Sequence, residues 1–379
     1  MAFNSTAIQA YFAQADSGNN HWAAWAGGIW FTVAVWIVGQ LIISIPLIIG
    51  IMMVDPNFID TMPVPQTGGP AQELALPGFF LSSLIAIVLY FIRHNFVDQR
   101  KAIIIAGFFA AVSTLCIAIF MQNNDAAANE FILAYIGKSK LAYASMLLVF
   151  PIVTAGIWTA QRVLHKRSLR SLHTAAERFR WKRMAFAMIV FWAVASALSY
   201  AAHITGQSPA EFVFDPSRFW GFAIVSLLFI PLQSATEEIV LRGYLNQGLS
   251  RLIKSPWIIF IITSAGFAAL HLGNPEIAQS GAEGNKLVTL SGYFFFGIFA
   301  CLLTYIDGGL ETAIGVHAAN NLFASMIVGY DHSALPTPTI FKIGFNSDGD
   351  VITTLVGLSL VCLIMYLTRN KTAPVISAA

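Results

Sequence analysis

Charged residues are scarce in this sequence. Asp, Glu, Lys and Arg make up 11% of its 379 residues, against about 25% in ordinary soluble domains, so most of its surface is not built to face water. The net charge of +2 lacks the basic excess of a nucleic-acid binder, so no nucleic-acid partner is expected. Cysteine is limited to Cys116, Cys301 and Cys362, each inside an apolar run and without paired spacing. That argues against a disulfide framework and against a cysteine zinc site. No His-Glu-x-x-His string occurs, so the common helical zinc-peptidase motif is absent. No Lys or Arg precedes the first apolar run, and that run is too long for a signal-peptide core, so a cleavable signal peptide is not expected. Low-complexity tracts and obvious internal repeats are also missing.

What the sequence does have is long apolar runs. A membrane-spanning helix needs about 20 mostly apolar residues. Ten segments qualify: Ile29–Val54, Leu76–Ile92, Ala102–Met121, Leu141–Gln161, Met184–Ala202, Phe219–Leu249, Pro256–Leu272, Leu287–Ile306, Leu310–Val328 and Val351–Leu367. The second and seventh are short and the sixth is long, so the expectation is an all-α, polytopic membrane bundle of eight to ten transmembrane helices. Pro56, Pro63, Pro65, Pro70 and Pro77 mark an extended loop after the first span, and Gly273-Asn274-Pro275 ends the seventh. Trp22, Trp25 and Trp30 at the entrance to the first segment read as an interfacial aromatic belt.

Basic residues set the orientation. The loop from Arg162 to Arg183 carries Arg162, Lys166, Arg167, Arg170, Arg178, Arg180, Lys182 and Arg183 against the single acid Glu177. With ten spans, Arg93, Arg100, Lys101, Arg251, Lys254, Arg369 and Lys371 fall on the same side. Only Lys138, Lys140, Arg218, Lys286 and Lys342 fall opposite. The bias places this loop and both termini in the cytoplasm, and the loop itself is read as a topology signal.

Three charges fall where the hydrocarbon should be: Glu237, Glu238 and Arg242. An ionisable residue inside a span is a functional-site hypothesis by default. Glu238 and Arg242 are four apart, hence on one face and in the better pairing order. Glu237 points about 100° away. Glu237 lies 14 residues before Arg251 and His271 lies 15 after Pro256; around the turn between those two segments, acid and imidazole reach nearly the same depth. His317 and Asn321 share a face of the ninth segment and can enter the same cavity. Small neighbours, Gly266, Ala268, Ala269, Gly315, Ala318 and Ala319, allow close helix approach. His203 is read as lying near an interface, outside this cluster.

The ordered set Glu237-Glu238-x-x-x-Arg242, Phe267-x-x-x-His271 and His317-x-x-x-Asn321 resembles the CPBP family, the CAAX proteases and bacteriocin-processing enzymes also called the Abi group. The resemblance covers roughly Met184–Val328. It divides the chain into residues 1–183 (membrane helices and the basic loop, function unassigned), 184–330 (protease core) and 331–379 (a loop and the last helix). It implies an intramembrane endopeptidase with catalytic residues Glu237, Glu238, His271, His317 and Asn321. Glu237 would act as base on a water that His271 also holds, His317 and Asn321 would stabilise the oxyanion, and Arg242 with Glu238 would support the site as a charge pair. A carboxylate drawn out of water is a stronger base, and a preset oxyanion donor is worth about 3–4 kcal/mol in a dry site.

The substrate expected is a membrane-associated peptide or protein, and the location the plasma (inner) membrane, or the endoplasmic reticulum membrane in a eukaryote. No cofactor is expected, although zinc held by Glu237, His271 and His317 stays an alternative. So does a non-enzymatic immunity or scaffold protein, or a proton-coupled transporter, built on the same buried cluster. Oligomeric state is not legible.

Overall fold

Inside hydrocarbon a backbone amide finds no water, so each long apolar run closes its hydrogen bonds within a helix. The computed structural model describes residues 6–62, 74–92, 126–282 and 284–369, with single residues or short runs between 96 and 116. Its principal helices are α1 (Thr6–Ala13), α2 (Trp22–Met52), α3 (Ala75–Ile92), α4 (Ala126–Ile136), α5 (Lys140–Val163), α6 (Trp181–Ile204), α7 (Pro216–Glu238), α8 (Pro256–Leu270), α9 (Pro275–Ala282), α10 (Lys286–Asp307), α11 (Glu311–Leu322) and α12 (Ser347–Leu367). The protein is an all-α, multi-pass membrane bundle.

Among the described residues six helices are long and apolar enough to span a membrane: α2, α5, α6, α7 extended to Leu249, α10 and α12. Of the other expected segments, the second is α3, whose apolar helix Pro77–Ala86 is short. The third, Ala102–Met121, lies mostly outside the described residues, as do Pro63, Pro65 and Pro70. The seventh is the short α8, which ends before Gly273-Asn274-Pro275 as expected, and beyond that turn α9 continues at an angle of 84°. The ninth is α11 followed by a π turn at Phe323–Ile327, and it is enclosed rather than lipid-facing.

Local sequence explains the key boundaries. Asp215 caps α7, accepting from the Ser217 N–H at 2.9 Å, and Pro216 fills the first turn. Gly308 ends α10 at a φ of 62°, and a Cβ there would meet the Ala7 carbonyl oxygen at 2.7 Å. Hydropathy could not reveal a short three-stranded sheet. In it β1 (Glu211–Phe212) and β2 (Val328–Tyr330) flank β3 (Phe341–Ile343), antiparallel and parallel respectively.

The centre of the bundle is α11. Every residue from Glu311 to Ala319 is buried, and α6, α7 and α10 pack around it. α2 runs along α5, α5 meets α7, and α12 closes against α6 and α10. Ile42, Ile45, Ile189, Trp220, Leu228 and Leu363 stay exposed on the outer faces, as lipid contact requires. Of the small residues expected at helix contacts, Gly315 fits best: a Cβ there would meet the Met184 carbonyl oxygen at 2.5 Å. Gly266 faces open space and Ala269 is exposed; they lie on the outer side of α8, so that part of the expectation is wrong.

The basic loop does more than mark topology. Arg180 grips the fully buried Glu311 with two bonds, Nε–Oε1 at 3.0 Å and Nη2–Oε2 at 2.7 Å. Arg183 holds Asp307 at 2.8 Å and donates to the Met365 carbonyl at 2.6 Å. Tyr11 donates to the Leu172 carbonyl at 2.6 Å, and Arg251 pairs with Asp16. The first helix, the basic loop, the Arg251 turn and the end of α12 therefore share one face of the bundle.

Trp25 is a core residue rather than part of an aromatic belt. It is buried, 4.3 Å from the His165 ring and 4.9 Å from Tyr244; Trp22 is exposed as expected. His165 Nδ1 donates to the Asn19 carbonyl at 2.8 Å, and its Nε2 accepts from the Tyr244 hydroxyl at 2.7 Å. Burial pushes the His165 imidazole down to about 4, the Asn19 carbonyl opposing and the Arg167 charge assisting. Cys301 is buried and Cys116 and Cys362 partly so; all three are free thiols.

Candidate active site

The polar cluster sits where α7 loses regular helical geometry. Pro231 removes one N–H from the helix ladder, and a seven-residue π turn, Ile239–Leu245, begins directly after Glu238. A second π turn starts two residues after Asn321. Such turns widen a helix and re-aim side chains, and they concentrate at functional sites. Here two of them bracket the acids and the amide.

Glu238 and Arg242 are fully buried and 3.3 Å apart. Arg242 also donates to the Gly297 carbonyl at 3.1 Å and lies 4.7 Å over the Phe267 ring, so its charge is spread over three partners. The sequence pairing of these two residues is therefore present. It is incomplete, because Glu238 Oε1 also accepts from His317 Nδ1 at 2.7 Å. The other nitrogen of that ring, Nε2, faces Glu237 Oε2 at 3.5 Å. His317 thus touches both acids, although successive helix positions point about 100° apart: the ring enters from α11, between them.

His271 caps the end of α8. Its Nδ1 donates to the Phe267 carbonyl at 2.7 Å, which leaves Nε2 as an acceptor. The ring stacks on Tyr293 at 4.3 Å, and the Tyr293 hydroxyl accepts from Asn274 at 3.0 Å. Phe267 separates the imidazoles, 4.4 Å from His271 and 5.9 Å from His317. His203 lies elsewhere, exposed and accepting from the Ala210 N–H at 3.0 Å.

Gln233 has no place in the motifs, yet it joins them. Its Nε2 donates to Glu237 Oε1 at 2.5 Å, and its Oε1 accepts from Asn321 Nδ2 at 2.9 Å and from Ser234 at 3.1 Å. Asn321 Oδ1 in turn accepts from Asn320 at 2.9 Å. The signal was legible: Gln233 is one helical turn before Glu237, on its face.

Exposure divides the cluster. Glu238 and Arg242 are fully buried, and Gln233 and His317 nearly so. Glu237, His271 and Asn321 are partly exposed. Glu238, Arg242 and Gln233 can only support, and the partly exposed residues can meet a ligand, with His317 Nε2 beside Glu237. Glu237 Oε2 is itself buried and makes no hydrogen bond within the protein. Among the described residues no three His, Cys, Asp or Glu side chains gather closely enough to hold a metal.

Residues 216–323 match the family model for Type II CAAX prenyl endopeptidase Rce1-like. This part of the chain is similar to the Rce1-like family. The segment opens at the first residue of α7 and closes just after α11, so it holds Glu237, Glu238, Arg242, His271, His317 and Asn321 together. It is narrower than the stretch Met184–Val328 read from the motifs. The protein named "Uncharacterized protein YyaK" of Bacillus subtilis (strain 168) is 30% identical over 200 residues, 52% of this chain and 64% of that protein. The chain thus spans just under two thirds of the length of this curated relative. No solved structure matches it.

Proposed function

We propose that the protein is an intramembrane endopeptidase that hydrolyses a peptide bond in a hydrophobic or membrane-associated substrate. The observation that carries this reading is the partly exposed Glu237. Its Oε1 is tied to Gln233, which also binds Asn321; its Oε2 has no hydrogen-bond donor within the protein, His317 Nε2 lies 3.5 Å from it, and His271 packs on Phe267, which also meets the His317 ring. Glu237 Oε2 and the Nε2 atom of His271 both present lone pairs, which suits them to hold one water and receive its proton.

In this mechanism the water oxygen attacks the scissile carbonyl carbon while Glu237 takes the water proton. The carbonyl π electrons move to oxygen, and the oxyanion accepts the free Nδ2–H of Asn321. His317 adds a second donor through Nε2 when the ring carries both protons. Collapse of the intermediate breaks the C–N bond, and the Glu237 proton passes to the departing amine. Glu238 and Arg242 keep His317 in place. No metal enters these steps, and metal analysis of active, purified protein checks that point: stoichiometric zinc required for turnover would overturn it.

The description of the matched family, a CAAX prenyl endopeptidase, makes a prenylated CAAX-type chain end the first substrate class to try. The basic loop, the first helix and the end of α12, which share one face, are assigned to the cytoplasm with both termini, and the plasma membrane is the proposed location. The decisive experiment compares the membrane peptidomes of cells carrying the wild type and Glu237→Gln. Substrates should accumulate uncut in the variant. Identical peptidomes from equally expressed proteins would end the peptidase reading and return attention to a transport or immunity role.

A further inference from the structure

We propose that Gln233 is a positioning residue, whose amide locks Glu237 on α7 and Asn321 on α11 into the relative orientation that lets base and oxyanion donor face one scissile carbonyl. The proposal rests on the peptidase reading and adds to it a residue outside the three motifs. Its ground is the direction of each bond. Gln233 Nε2 points at a carboxylate oxygen, 2.5 Å away, and Gln233 Oε1 receives the Asn321 and Ser234 donors. Turned over, the amide would set oxygen against the Glu237 carboxylate and hydrogens against the Asn321 amide, so one orientation alone satisfies the network.

The consequence falls on Asn321. Its Oδ1 is held by Asn320 and one Nδ2–H by Gln233. The amide plane is pinned at both ends, and one N–H is left for a ligand. A donor fixed before the reaction needs no reorganisation as negative charge develops, which is the condition under which such donors accelerate acyl transfer. Gln233 is 7% exposed, too buried to meet substrate itself, so it acts through its two neighbours. Ser234, fully buried on the same turn, fills the second lone pair of its carbonyl and leaves the amide little freedom to rotate.

A merely structural glutamine would cement α7 to α11 with no catalytic consequence, and a double-variant cycle separates the two roles. Full-length wild type, Gln233→Leu, Asn321→Ala and the Gln233→Leu/Asn321→Ala pair are assayed in liposomes with an internally quenched, farnesylated CAAX peptide. Thermal unfolding in detergent checks that each variant folds. Gln233→Leu should lower kcat about 10- to 100-fold with KM within about twofold. The pair should be slowed clearly less than the product of the two single penalties, because one of the two neighbours through which the glutamine acts is already removed. Penalties that multiply, or a Gln233→Leu protein within about twofold of wild type, would overturn the proposal while the peptidase reading stands. A wild type no faster than Glu237→Ala, with matching peptidomes in cells, would instead overturn the peptidase reading and with it any catalytic part for Gln233.

Discussion

His317 Nδ1 donates to Glu238 Oε1 across 2.7 Å, and that bond decides which nitrogen faces Glu237. The buried carboxylate therefore orients an imidazole, in the way an acid fixes the tautomer of a catalytic histidine elsewhere. Glu238→Gln keeps the shape but offers a neutral amide that can present N–H to the ring. We expect kcat to fall by about two orders of magnitude or more with KM nearly constant, measured on the quenched farnesylated peptide. A rise in KM would point to lost substrate binding instead.

Arg242 compensates the same carboxylate. Arg242→Met removes the ion pair, the bond to the Gly297 carbonyl and the contact over Phe267. It leaves Glu238 charged and fully enclosed, at a cost of about 3–5 kcal/mol. A marked drop in the detergent unfolding midpoint is the expected result. Adding Glu238→Gln should restore much of it, because the uncompensated charge is then gone. A double variant as unstable as the single one would show that the loss comes from packing.

Close approach of α11 to α6 is required at Gly315, two residues before His317. An added methyl would sit 2.5 Å from the Met184 carbonyl oxygen, so Gly315→Ala should push the helices apart and cost about 1–3 kcal/mol. Because α11 carries His317 and Asn321, peptidase activity should fall as well. Unfolding and activity measured side by side check this, and wild-type values for both would refute the packing argument.

His165, bonded to Tyr244, makes stability depend on pH. Its ring is held neutral, with a pKa near 4 in the folded protein and about 6.5 once unfolded. The unfolded chain therefore takes the proton first as pH falls, and stability declines from about pH 6.5 to about pH 4. The group contributes about 3 kcal/mol across that window. Unfolding midpoints taken through this range should fall for the wild type and stay flatter for His165→Gln. Equal slopes in the two proteins would assign the effect to other groups.

How far the residues alone could go is clear from particular positions. Apolar runs of spanning length settled that this is a helical membrane protein, because lipid tolerates little else. Spacing settled the Glu238–Arg242 pair, since residues four apart share a helix face, and motif order indicated which helices meet. Gln233 was within reach of the same spacing rule, because it shares the Glu237 face. The partners of Arg180 and Arg183, Glu311 and Asp307, were not, because they lie more than a hundred residues away along the chain.

Tertiary structure decided the rest. Hydropathy reports how apolar a segment is but not what covers it, so the enclosed α11 read as an ordinary span, and α9, bent 84° from α8, was not seen at all. It also sees nothing of a π turn, which is a matter of backbone hydrogen-bond register. Those turns, together with the approach of α11, bring His317 between two carboxylates and leave Glu237, alone of the pair, with a face open to a ligand.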